Sequence, residues 1–104
     1  MPTYIVLMNY TKEGMQKIKE SPARLDAAKK AFKTMGAELK QWFLVMGRYD
    51  AIVIAEAPND EIAAKLALFI GSRGSIRTET IRAFTEHEYR KIIADIPDIQ
   101  VEVL

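Results

Sequence analysis

Two stretches of this chain, Tyr4 to Tyr10 and Ala51 to Ala55, are apolar at odd and even positions alike, broken only by Asn9. Successive side chains of a strand point to opposite faces, so a run without alternation belongs to a strand covered on both sides. At 104 residues the chain has material for one core. It must therefore bury both faces of two central strands with few remaining elements, and the rest of the sequence says how.

Thr11 is placed to cap a helix carrying Met15 and Ile18, and Ser21-Pro22 predicts a restart in cap-plus-first-turn chemistry, with the helix bent or broken at Pro22. Leu25, Ala28, Phe32 and Met35 then fall on one helical stripe that Gly36 can end. Glu38 to Met46 reads as a second strand, with Trp42, Leu44 and Met46 on one face and Phe43 and Val45 on the other. After the turn at Gly47-Arg48, Tyr49 to Glu56 is the third strand. Pro58 to Glu61 caps a second long helix bearing Ile62, Leu66, Phe69 and Ile70, which Gly71 to Gly74 stops. Ser75 to Phe84, polar and threonine-rich, reads as an edge strand. Thr85-Glu86-His87-Glu88 opens a short third helix with Tyr89, Ile92, Ile93 and Ile96, ended by Pro97. Ile99, Val101 and Val103 alternate as a candidate fifth strand.

This order predicts an α+β, ferredoxin-like βαββαβ sandwich: an antiparallel sheet in order 4-1-3-2, the non-alternating runs at its centre, two long helices on one face. Residues 1–96 form the domain, and 97–104 a tail that could pair as a strand in the sheet or in an oligomer interface. The helix-free face would then be an apolar patch beyond what monomers usually expose, and the simplest cover is a second copy about a two-fold axis. A homodimer or higher homo-oligomer is the expected assembly.

Composition narrows the partners. Fifteen basic residues stand against 14 acidic ones, for a net charge of +1, too weak a field to gather nucleic acid or an anionic membrane surface. An RNA-binding sheet would need exposed aromatics where the third strand has Ala51, Ile52, Val53, Ile54 and Ala55. The absence of cysteine removes disulfides and thiolate metal sites and suits a reducing interior. The N-terminus has neither a basic lead nor a long apolar run, so the expected location is cytoplasmic.

The turn Gly47-Arg48-Tyr49-Asp50 resembles the Gly-x-Tyr-Asp signature of the GYD domain family. The likeness extends through Tyr4 to Asn9, Gly14, Lys19-Glu20-Ser21-Pro22 with Arg24, Gly36, Glu56-Ala57-Pro58, Gly71, Gly74 and Arg77-Thr78-Glu79-Thr80, covering roughly residues 2 to 90. It implies an α/β plait related in shape to the dimeric α/β-barrel proteins. Arg48 at the variable position and residues 97–104 beyond the usual end depart from the pattern.

Several residue groups bear on chemistry. Tyr49, Asp50 and Arg48 could orient a polar ligand, although a hairpin uses such residues for its own turn. Arg24 could clamp a ligand over the sheet. Gly71 to Ser75, with Arg77 and Lys65, could hold an anion, but a helix C-terminus repels one and a plain cap is favoured. His87 has no companion ligand in sequence and reads as a solvated residue; no metal and no cofactor is expected. Trp42, Phe43, Met8, Met46 and Phe84 read as core or interface before pocket. Asp50 and Glu56 sit roughly 20 Å apart along a strand, too far for a two-carboxylate mechanism. The leading expectation is a homo-oligomeric module that binds a small ligand or a partner. The alternative is a cofactor-free oxygenase, isomerase or dehydratase acting on an apolar or aromatic small molecule, an analogy of fold that does not fix chemistry.

Overall fold

The computed structural model describes residues 1–98, and within them the non-alternating runs become neighbouring central strands. β1 (Thr3–Tyr10) pairs antiparallel with β3 (Ala51–Glu56) on one side and with β4 (Ile76–Ala83) on the other, while β2 (Glu38–Leu44) adds beyond β3. The hydrogen-bonded order is β2-β3-β1-β4, which is 4-1-3-2 counted from the β4 edge. Ile5 lies opposite Ile54 and Ile81, and Leu7 opposite Ile52 and Glu79, which fixes the faces. β3 begins at Ala51, later than the apolar pattern suggested, because Tyr49 and Asp50 belong to the turn. In β2 a register shift between Leu39 and Gln41 turns both Leu39 and Trp42 toward the core.

The helical layer comprises α1 (Lys12–Gln16), a 3-10 turn (Ile18–Glu20), α2 (Ser21–Thr34) and α3 (Asp60–Ser72), with α4 (Glu86–Ala94) after β4. Thr11 caps α1, its side chain accepting from the Gly14 amide at 3.1 Å. The expected break at Pro22 falls earlier, at Lys17 (φ −112, ψ 35). Ser21 is the first residue of α2 and no side chain caps that helix, while Pro22 sits within its first turn, where no N–H is required. Gly36 takes φ 75 after α2, and the Ala37 amide returns to the Phe32 carbonyl at 2.8 Å. Asn59 caps α3 through the Ile62 amide at 2.9 Å. At α4, Thr85 and Glu88 complete the capping box read from sequence.

Tyr4 from β1, Val53 and Ala55 from β3, Phe32 from α2 and Leu66 from α3 form one buried cluster with Ala37 and Ala57. Both long helices therefore cover the same face of the sheet. On the opposite face, Ile5, Leu7, Ile52 and Ile54 are only half-buried, and Phe43 and Ile81 are 50% and 42% exposed. α4 has no buried residue, and Tyr89, Ile92 and Ile93 stand exposed along it, with Ile96 just beyond. The candidate strand at Ile99, Val101 and Val103 lies outside the described residues. Among the described residues, no helix is long and apolar enough to cross a membrane.

Candidate functional site

The β2–β3 turn is tied to the end of β1. The Asp50 carboxylate accepts from the Tyr10 amide at 2.9 Å, and the Asp50 amide donates to the Met8 carbonyl at 2.8 Å. The carboxylate thus fastens a strand end, a longer-range version of the local turn acceptor that the hairpin suggested. Tyr49 reaches across β1, its hydroxyl donating to Glu79 Oε1 at 3.3 Å. Arg77 lies opposite Asn9 in the ladder, on the helix-free face that also carries Glu79. Arg48 is exposed. Arg24 is on the other side of the sheet, on α2. The residues singled out from sequence are thus divided between the two faces.

The Gly71 to Ser75 loop presents carbonyls where an anion cradle would present amides. The Thr11 hydroxyl donates to Gly74 O at 2.6 Å and the Thr11 amide to Ser75 O at 3.0 Å. Gly14 is buried against this loop so closely that a Cβ would lie 2.0 Å from Ser75 O. These contacts lock the start of α1 to the start of β4. Lys65 is taken up by Glu61 at 3.6 Å, and His87 is exposed in the first turn of α4. No group of residues able to hold a metal ion occurs among those described.

Above this lock the helix and sheet layers separate. A cleft of about 580 Å³ opens where β1 ends and β4 begins, floored by Met8, Trp42 and Ile76 and walled by Leu25, Ala28 and Phe69. The helical stripe read from sequence is thus only partly core: Phe32 is buried, while Leu25 and Ala28 face the cleft. The alanines of α2 at 27, 28 and 31 are too short to close the gap to Phe69 and Ile70 on α3. Periodicity marked the inward face but not its depth: of the five residues read as core or interface before pocket, Met8 and Trp42 line the cleft and Phe43, Met46 and Phe84 do not. Arg24, Arg73, Ser21, Ser75 and Tyr10 also line it, and among the described residues no carboxylate or histidine does. Arg24 Nη2 donates to Lys17 O at 3.1 Å and to Gly14 O at 3.4 Å, and Arg73 stacks on Phe69 at 4.7 Å from the ring centre.

Among the described residues two titrating groups are perturbed, both away from the cleft. Burial raises the Tyr4 phenol above its ordinary range, reinforced by its 2.6 Å bond to Asp60 Oδ1. The Thr85 amide, donating to the Glu88 carboxylate, lowers that acid.

A family model described as the GYD domain matches residues 4–93. The chain is also 31% identical over 84 residues to a protein from Thermus thermophilus named "Glutamine synthetase and cystathionine beta-lyase binding protein", a match spanning 80% of this chain and 88% of that one. No solved structure matches the chain.

Proposed function

The chain belongs to the GYD domain family, and from that footing we propose that it is a protein-binding module that assembles with copies of itself through the helix-free face of its sheet. The observation carrying this reading is the row of Ile5, Leu7, Ile52, Ile54, Phe43 and Ile81 on a face no helix covers. Eight residues of β1 at about 3.3 Å each and four strands at about 4.8 Å give that face a flat footprint of roughly 500 Å². A standard interface needs about 800 Å² per partner. α4 buries none of its residues, and Tyr89, Ile92 and Ile93 on it offer further apolar surface to a partner.

A second copy suits this face because a two-fold axis would lay apolar residues on apolar residues, and the two charges it carries on β4, Arg77 and Glu79, are of opposite sign. The name of the Thermus relative supports protein partners of a second kind, and purified glutamine synthetase and cystathionine beta-lyase are the partners to offer first. Binding is favoured over catalysis because, among the described residues, no carboxylate or histidine lines the cleft.

Adjacent residues of β3 test the assembly. Ile54→Asp places an unpaired charge in the contact between copies, costing about 3 kcal/mol or more, a roughly hundred-fold weaker dissociation constant in a chain that stays folded. Val53, 5% exposed, points the other way, and Val53→Asp should unfold the chain itself. An Ile54→Asp variant that keeps wild-type mass in sedimentation would contradict the proposal.

A further inference from the structure

We propose that the cleft between α2, α3 and the sheet binds a small amphipathic carboxylate, an apolar chain or ring carrying one anionic head. The cleft's volume of about 580 Å³ falls within the few hundred to a thousand cubic ångströms of small-molecule sites. Its interior surfaces are Met8, Leu25, Ala28, Trp42, Phe69 and Ile76, which fit an apolar body and among whose side chains the indole N–H of Trp42 is the one strong hydrogen-bonding group. The charge is confined to the rim and is of one sign, Arg24 and Arg73. Among the described residues neither guanidinium has a carboxylate within ion-pair distance.

Each arginine is held ready by contacts that leave its charge uncancelled. Arg24 spends one nitrogen on the carbonyls of Gly14 and Lys17, which fixes its position and leaves other N–H groups to donate. Arg73 lies over the Phe69 ring at 4.7 Å, at the edge of the apolar wall. A guanidinium offers a carboxylate paired, charge-assisted hydrogen bonds, and the Ser21 and Ser75 hydroxyls lie on the same lining. A cationic ligand would meet two like charges there, and a neutral one would leave both arginines without a counter-charge. The cleft is on the helix side of the sheet, so its ligand and a second copy of the chain would occupy opposite faces, and either can bind without the other.

Trp42, the single tryptophan, forms part of the floor and reports occupancy directly. Decanoate, held below its micelle concentration, should produce a saturable change in Trp42 emission and a one-to-one calorimetric isotherm, while decan-1-ol binds at least ten-fold more weakly and decyltrimethylammonium shows no saturation. Arg73→Ala, at an exposed position, should weaken decanoate roughly ten- to a hundred-fold and leave decan-1-ol unchanged. Arg24→Lys should do the same with the backbone anchor partly kept, and thermal unfolding checks that both variants are folded. Ala28→Phe should block both ligands by filling the cleft. Equal affinity for decanoate and decan-1-ol, unaltered decanoate binding in Arg73→Ala and Arg24→Lys, or wild-type binding by Ala28→Phe would each overturn the proposal.

Discussion

Replacing Gly14 with alanine should reverse the usual rule that alanine strengthens a helix. Gly14 lies in α1, where the exchange is ordinarily worth up to about 1 kcal/mol in favour of alanine. Here the added Cβ would stand 2.0 Å from Ser75 O and 2.9 Å from Ser75 C, both main-chain atoms that cannot swing aside. α1 and the start of β4 must part by more than an ångström, at a typical overpacking cost of 1 to 3 kcal/mol. That separation also stretches the bonds from Thr11 to Ser75 O and Gly74 O, each worth about 1 kcal/mol. Subtracting the helix gain leaves a loss of roughly 2 to 4 kcal/mol. For a domain of this size each kcal/mol moves Tm by about 4 to 8 °C, so the midpoint of thermal unfolding followed by circular dichroism should fall by about 8 to 30 °C. Gly71→Ala is the internal control: it lies in α3 with no atom within 4 Å of the new Cβ, so its Tm should rise by a few degrees. A Gly14→Ala protein as stable as wild type would refute the lock between α1 and β4.

Asp50→Ala should cost about 1 to 2 kcal/mol by leaving the Tyr10 amide without its acceptor; an unchanged urea midpoint would free the carboxylate for another role. The raised Tyr4 phenol keeps its proton in the folded chain after the unfolded chain has begun to lose it near pH 10. Its stabilisation is complete below that pH and drains away as pH climbs toward the folded value. Tyr4→Phe should therefore be less stable at neutral pH yet show a flatter alkaline decline, and parallel alkaline limbs would contradict the assignment.

The centre of the sheet was legible because the non-alternating runs at Tyr4 to Met8 and Ala51 to Ala55 pointed to inner strands, and β1 and β3 are the two inner strands. Cap chemistry was equally plain at Thr11, Asn59 and the Thr85–Glu88 box, since a side-chain acceptor three residues before an amide is a local signal. Other features depended on distances between segments remote in sequence. The break at Lys17 carries no proline, and Gly14 owes its role to Ser75, a residue of another loop. Asp50 could be recognised as a turn residue, but its partner at Tyr10 depends on the pairing of β1 with β3. The cleft was ranked below core packing at Met8 and Trp42 because alanines at helical spacing look the same whether a neighbour closes over them or stands off, and here Phe69 stands off. Arg24 was visible as a cation near the sheet, whereas Arg73 was read as part of a helix stop.

Sedimentation equilibrium of the wild-type protein at micromolar concentration tests the central claim most directly. Covering the helix-free face with a second copy requires a mass of at least twice 11.8 kDa, dissociating only on dilution. A single species of 11.8 kDa across that range would mean that Ile5, Leu7, Ile52 and Ile54 face water, and the copy-on-copy account would be wrong.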